Sequence, residues 1–290
     1  MAATATTTMQ VAGTKGPGFY FSKVVSYAVF VLFTILTVYP LVWLTYSSFK
    51  TDAEFVRNAL ALPQGLAIEN YAEAWEFGKL GLYAINSLIY TTVSVTLVLL
   101  FAMMTSYAFS KMRYRKVSAL LKGFFGLGIL ISTHSILIPL FMLMRNLGLI
   151  DTRFGITLVY LAVNLPLAIF IGSEYMKGLP DSLVESAFMD GASNTRMFIS
   201  IILPMCTPVM ITAGILTTLA VWNEFLLGFI YTGPSTRTLP VGIYSFSNAM
   251  NTEYGLQFAA LMIGTIPILV VYSLFNTRIT KGVVAGAIKG

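Results

Sequence analysis

The chain has 290 residues, of which 57% are hydrophobic and only 10% charged, and its mean hydropathy is +0.79. Soluble domains carry about a quarter charged residues, so this composition excludes a water-soluble globular protein and marks an integral membrane protein. The net charge of +6 does not point to nucleic acid, because its distribution follows membrane topology, and the single cysteine, Cys206, excludes an intrachain disulfide.

Residues 1–18 are rich in Ala, Thr and Gly with no apolar run, and the segment 1–22 is expected to be a disordered cytoplasmic N-terminus. Val24 to Tyr46 is the first stretch long enough to cross about 30 Å of hydrocarbon. Thr51 to Gly81 is soluble in character. In it Asn70 to Lys79 reads as an amphipathic helix, and the acids Asp52, Glu54, Glu69, Glu73 and Glu76 outnumber Lys50, Arg57 and Lys79. Leu82 to Phe109 is a second span, ending at the basic cluster Lys111, Arg113, Arg115 and Lys116.

A third span is predicted from about Ala119 to Met144. Its Gly123, Gly126 and Gly128 suit close helix packing better than a dinucleotide fingerprint, for which no βαβ context exists. The sole histidine, His134, stands beside Ser132, Thr133 and Ser135 with no carboxylate or cysteine cluster, so it reads as a packing residue and no metal site is expected. The fourth span, about Phe154 to Met176, is predicted to be interrupted by Asn164 and Pro166. The fifth, about Met205 to Tyr231, carries Trp222, Asn223 and Glu224, and the sixth runs from Leu256 to Phe275 after a polar loop, Tyr231 to Gly255. The domain plan is thus a transmembrane region over 23–278 and a tail over 279–290. The fold class is all-α with six transmembrane helices.

Lysines and arginines set the orientation. An even number of spans puts both ends on one side, which holds Lys15, Lys23, the Lys111 to Lys122 group, Lys177, Arg196, Arg278, Lys281 and Lys289. The other side holds Lys50, Arg57, Lys79, Arg145, Arg153 and Arg237, so both termini are expected in the cytoplasm.

One polar interruption stands apart, Glu185 to Pro204 within the loop 178–204. Ser182 with Glu185 reads as a capping box, Leu183, Val184, Ala187 and Phe188 share a face, and Gly191 is a helix stop. Ser193 can cap a second short helix that Pro204 would break. This elbow lies on the basic side, yet Asp181, Glu185 and Asp190 outnumber Arg196. A passive interfacial connector and a piece that docks in another protein's groove both fit those residues.

No phosphate-binding loop, nucleophile elbow or metal-ligand spacing occurs, so neither nucleotide hydrolysis nor other catalysis is expected of this chain. Glu224 is an intramembrane acid and by default a functional candidate, against which stands a capping or packing role near the external interface. A self-contained channel or secondary transporter would need internal symmetry or several such acids, and neither is evident.

The elbow's spacing then narrows the field. Glu185-Ser186-Ala187, three residues, Gly191, nine residues and Ile201-Ile202-Leu203-Pro204 resembles the EAA motif of permease subunits of bacterial ATP-binding-cassette importers, with Ser186 in place of alanine. Val221 to Leu227, Thr238 to Gly242 and the terminal Gly286-Ala287-Ile288-Lys289-Gly290 resemble carbohydrate permeases of the maltose-transporter type, specifically the six-span partner permease. Tyr39-Pro40-Leu41, Ser47, Phe49, Lys50 and Glu69-Asn70-Tyr71 extend the likeness to about residue 24 through the C-terminus.

The resemblance implies a type I importer permease architecture and alternating access in a bacterial inner membrane. The partners it implies are a second permease, an ATPase dimer that uses ATP and magnesium, an external sugar-binding protein and a sugar. Glu185, Ser186, Ala187, Asp190, Gly191, Ile201, Leu203 and Pro204 would couple to the ATPase, and the chain itself would bind no cofactor. Asn164, Trp222, Asn223 and Glu224 would border the substrate path, Gly286, Lys289 and Gly290 would reach the ATPase, and the loop 231–255 would meet the binding protein. Tyr83, Trp75 and Trp222 could stack on sugar rings or simply mark the interface.

Overall fold

A computed structural model describes residues 17–76, 78–111, 115–247 and 253–287, and its elements are helices. Helix α1 (Pro17–Ser47) is followed by the short α2 (Asp52–Arg57) and α3 (Glu69–Glu76), then by α4 (Leu80–Lys111), α5 (Arg115–Leu130), α6 (Leu137–Asn146) and α7 (Arg153–Lys177). The elbow comprises α8 (Asp181–Met189), α9 (Asn194–Met197), a π-helical turn (Phe198–Ile202) and α10 (Leu203–Met205). After it come α11 (Thr207–Trp222), α12 (Leu226–Tyr231), α13 (Leu239–Tyr244) and α14 (Tyr254–Ala287). The readings made for residues 1–16 and for Lys289 and Gly290 lie outside the described residues. Helix α1 begins at Pro17, inside the segment expected to be disordered.

Four segments are long and apolar enough to cross a bilayer: Lys23–Ser47, Leu80–Lys111, Arg153–Lys177 and Tyr254–Leu274. A fifth is formed if Asn194–Met205 and Thr207–Trp222 count as one span bent by 75°. The predicted third span is not continuous. It divides into α5 and α6 around Ser132–Ser135, because four successive polar residues gain more from exposed turn geometry than from an uninterrupted helix. His134 is correspondingly exposed rather than packed, with Nδ1 3.4 Å from Ser132 Oγ. Of the three glycines before it, Gly128 alone packs closely: a Cβ there would lie 3.1 Å from the ring of Pro166, while Gly123 and Gly126 face open space.

The predicted interruption of the fourth span does not occur either. Helix α7 continues through Pro166, and the Asn164 side chain folds back to donate to the Tyr160 carbonyl at 2.8 Å. Membrane helices accept proline more readily than soluble ones, because packing of neighbouring helices supports the kinked ladder.

Helices α4 and α7 form the centre of the bundle. Association between helices in lipid depends on close approach and on hydrogen bonds, since hydrocarbon outside is as apolar as the interior. Small residues provide both. Ser106 Oγ donates to the Ile169 carbonyl and Ser110 Oγ to the Ser173 carbonyl, each at 3.0 Å. Gly172 faces Ser106 so closely that a Cβ would lie 2.6 Å from its hydroxyl oxygen. Around this seam pack Val98, Met103, Tyr107, Met176, Ile202 and Cys206.

At the end of the bundle away from the elbow, loops are pinned to helices. Thr51 and Glu54 form a capping box on α2, Trp43 Nε1 donates to the Ala59 carbonyl, and Phe55 stacks on Tyr254 with ring centroids 4.7 Å apart. Lys50 is 1% exposed; its ammonium donates to the carbonyls of Asn58 and Ala59 at 3.2 and 3.0 Å and lies over the Tyr46 and Phe55 rings. Burial holds its pKa below the usual lysine value, against the opposing pull of Glu54. The loop after α12 is fastened to α4: Asn86 Nδ2 donates to the carbonyls of Ser235 and Arg237, Tyr90 to that of Thr236, and Ser87 Oγ accepts from Leu239 N.

Candidate functional site: the elbow and the broken fifth span

The elbow opens at Pro180, whose φ of −57° and ψ of 131° place it as the cap of α8. The predicted capping box of Ser182 and Glu185 is therefore absent: the helix has already begun at Asp181, and no side-chain cap bond forms. Its end follows the sequence closely. Gly191 has φ of +74°, its N–H bonds the Phe188 carbonyl, and Ala192 N–H bonds the Ala187 carbonyl, each at 3.0 Å. These two bonds make a Schellman stop, which needs a residue free of Cβ strain at the left-handed position.

Ser193 Oγ then accepts from Arg196 N at 3.3 Å and caps α9 as expected. Pro204 does not break the second leg. The π-helical turn Phe198–Ile202, closed by Leu203 N to the Phe198 carbonyl, widens the ladder just before the proline. The direction changes by 75° only at Cys206.

The inner face of the elbow is built from Ala187, Met197 and Ile202, all buried, with Val184, Leu179, Ile201 and Leu203 packed partly against the core. Glu185, Ser186, Asp190, Gly191 and Pro204 are exposed. Phe188, read as sharing a face with Leu183, Val184 and Ala187, is 69% exposed where Ala187 is buried, beside Met189 at 84%. The tip thus offers two large apolar side chains flanked by two carboxylates. Exposed large apolar side chains grouped in this way and rimmed by charge are a composition common at protein–protein contacts.

Lys111, read from sequence as part of a topology signal, has a second role. Its side chain is 2% exposed and donates to the Leu179 carbonyl at 2.7 Å and to Asp181 at 2.6 Å. Asp181, one of the three elbow acids, is therefore tied to α4. Beside it on α7, Glu174 pairs with Lys122 at 2.6 Å and with Lys177 at 3.1 Å.

At the opposite end, the predicted fifth span stops at Trp222 and restarts as α12 after Asn223–Phe225. Glu224 is the reason. One carboxylate oxygen accepts from Leu227 N at 2.7 Å, and the other accepts from Gly228 N at 2.9 Å and from Tyr160 Oη at 3.1 Å. The acid satisfies the first donors of α12 and ties them to α7, so its capping role stands on geometry. Asn223 is exposed, with Nδ2 on the Leu219 carbonyl at 2.9 Å.

The four residues expected along a substrate path are not brought to one place. Asn164 borders a small cleft of about 40 Å³ between α7 and α11, with Ala213, Leu216 and Thr217. Through Tyr160 it is linked to Glu224. Trp222 points elsewhere, donating to the Gly264 carbonyl of α14 at 3.3 Å and lining an open apolar groove of about 580 Å³ with Trp75, Thr91 and Pro267. Tyr83 is 5% exposed and closed to any ligand. The two broken spans are mated beyond their breaks: Tyr231 Oη donates to the carbonyl of Leu137, the first residue of α6, at 3.1 Å. Sequence reasoning missed Tyr160 and Tyr231, whose only signal was a tyrosine in apolar surroundings that needs a partner for its hydroxyl.

Comparison with known proteins gives the family. Residues 99–284 match the family of binding-protein-dependent transport system inner membrane components. A putative ABC transporter permease protein of Caldicellulosiruptor sp. (strain Rt8B.4) is 34% identical over 89% of this chain and 94% of its own length. A diacetylchitobiose uptake system permease protein of Streptomyces coelicolor is 31% identical over 91% and 88%. In fold, the chain is similar to one chain of a bacterial ABC transporter involved in the import of the acidic polysaccharide alginate, with a TM-score of 0.80 at 22% identity, covering 92% of this chain and 99% of that one. The chain belongs to the binding-protein-dependent transport system inner membrane component family, as a multi-pass permease subunit of the inner membrane rather than an enzyme.

Proposed function

We propose that this permease forms one half of the translocation pathway of an ATP-driven importer of di- or oligosaccharides. It would work with a second permease, an ATPase dimer and an extracytoplasmic sugar-binding protein. It would cross the membrane six times, α5 and α6 together making the third crossing, with both termini in the cytoplasm. The sugar class is supported by the diacetylchitobiose permease, with which the likeness covers nearly the whole chain. ATP and magnesium act in the ATPase, and this chain binds neither.

The single observation that carries the coupling role is the form of the elbow. A rigid stop at Gly191 presents Glu185, Asp190, Phe188 and Met189 outward, while Ala187 and Ile202 anchor its legs in the core. Such a piece transmits a partner's closure as rigid-body motion instead of yielding. Ser132–Ser135 and Asn223 border the aqueous path, since exposed non-helical backbone at membrane depth is tolerated only beside water or protein. Gly286, in the last turn of α14, leads the tail with Lys289 and Gly290 towards the ATPase.

The test is uptake of labelled oligosaccharide by vesicles holding the assembled importer. Glu185→Lys and Gly191→Val are expected to lower uptake and binding-protein-stimulated ATP hydrolysis about tenfold or more, while membrane insertion persists. Wild-type uptake from both, or sugar transport by the permease alone without an ATPase, would sink the reading.

A further inference from the structure

Both legs of the elbow meet the same turn of the same helix. On the first leg, the buried ammonium of Lys111 holds the Leu179 carbonyl and Asp181, on either side of the Pro180 cap. On the second leg, the ring of Phe198 in the π-helical turn packs on Tyr107, with centroids 5.3 Å apart. Tyr107 and Lys111 are four residues apart on α4 and so share one face. Above them Ser106 and Ser110 fasten α4 to α7 through the carbonyls of Ile169 and Ser173. Helix α7 in turn reaches the far leg, Tyr175 Oη donating to the Met205 carbonyl at 3.2 Å.

We propose that the last turn of α4 is the receiver of the coupling stroke, with Lys111 the positioning residue that makes the elbow, α4 and α7 move as one block. The inference rests on the coupling role given to the elbow above. A buried ammonium that bonds one carbonyl and one carboxylate fixes an angle as well as a distance, because both acceptors lie on a short turn of set geometry. Without it, the bond from α4 to the Leu179 carbonyl is lost, and the apolar contacts of Leu179 and Val184 beside it permit sliding. Helix α4 runs the full depth of the bundle and at its other end holds the loop after α12 through Asn86 and Tyr90. A stroke entering at Lys111 is thus delivered to the opposite face by one stiff element.

The experiment uses the assembled importer in vesicles, with the amount of complex recovered on a tagged ATPase measured beside uptake. Lys111→Met is expected to lower uptake about tenfold with complex still recovered, and Lys111→Arg to stay within about threefold of wild type, since coupling changes of this kind reach a few tens-fold at most. Asp181→Asn, at a side chain 80% exposed, removes the charge partner without opening the core, and is expected to lower uptake about threefold. Wild-type uptake by Asp181→Asn overturns the proposal even where Lys111→Met fails to assemble. Equal damage from Lys111→Arg and Lys111→Met overturns it too. Gly191→Val runs alongside: if it also transports normally, the coupling role of the elbow has failed, whereas normal transport by the Lys111 and Asp181 variants alone removes only the receiver.

Discussion

The elbow and the break after α11 are both short polar interruptions between membrane helices, and they use their polar groups in opposite ways. At the break, each carboxylate oxygen of Glu224 is engaged inside the chain, by two backbone donors and one tyrosine. At the elbow, Glu185 and Asp190 are exposed and make no side-chain hydrogen bond among the described residues, while the backbone beneath them is fully organised by the stop at Gly191. A polar residue whose bonds are spent internally holds a fold together. One left exposed on a rigid frame stays available to another molecule, the role proposed above for Glu185 and Asp190. The contrast separates two acids, Glu185 and Glu224, that are both functional candidates in the sequence.

The sharpest way to break the contrast is to delete the inner acid. Glu224→Ala leaves Leu227 N, Gly228 N and the Tyr160 hydroxyl without an acceptor, at about 1–3 kcal/mol per unsatisfied group before relaxation and water entry reduce the sum. A fall in unfolding free energy of about 2–4 kcal/mol is expected, read as loss of thermal stability of the purified permease in detergent. Glu185→Lys should change the same reading by less than about 0.5 kcal/mol, since the side chain touches nothing that folding needs. Equal loss from both would erase the distinction.

A smaller effect separates frame from surface within the elbow. At φ of +74°, valine costs more than the roughly 1–2 kcal/mol of an ordinary left-handed residue, whereas asparagine is tolerated there. Gly191→Asn should therefore keep most of the uptake that Gly191→Val loses, and identical losses would show that the glycine is needed for space and not for conformation. Ser193→Ala, which removes the α9 cap, is expected to cost about 1 kcal/mol, visible as faster amide exchange over Asn194–Met197.

The smallest effect comes from Lys50. Its folded pKa lies below the unfolded one, so between the two the unfolded chain binds more protons and stability rises with pH. The penalty is present at neutral pH and disappears as pH climbs towards the ordinary lysine value. Melting temperatures measured from pH 7 to 10 should rise less in Lys50→Met than in the parent, and parallel curves would remove the claim.

The sequence-structure comparison turns on what hydropathy can express. Helices α1, α4, α7 and α14 were legible because length of apolar run is the signal, and the elbow was legible because glycine, serine and proline carry conformational meaning. The break at Ser132–Ser135 was not, since a window averaged over Ala119 to Met144 stays apolar across four polar residues. Pro166 and Pro204 misled for the converse reason: proline ends a helix only where the chain cannot accommodate its ring and missing donor, and here α7 runs on through Pro166 and a π-helical turn widens the ladder before Pro204. The S-x-x-E spacing occurs in the elbow without forming a box, while Thr51 and Glu54 do form one. The difference is Pro180, which starts α8 two residues early, at the point Lys111 grips. Tertiary ties of that sort have no local signature.

The bond between Tyr160 and Glu224 bears on how the chain enters the membrane. An unpaired carboxylate in hydrocarbon costs at least a few kcal/mol, enough to hinder the insertion of a span. The donor lies 64 residues ahead of the acid, in a helix made and inserted first. The order of synthesis therefore delivers Glu224 to a partner already in place, and the permease should depend on α7 to insert α11 and α12.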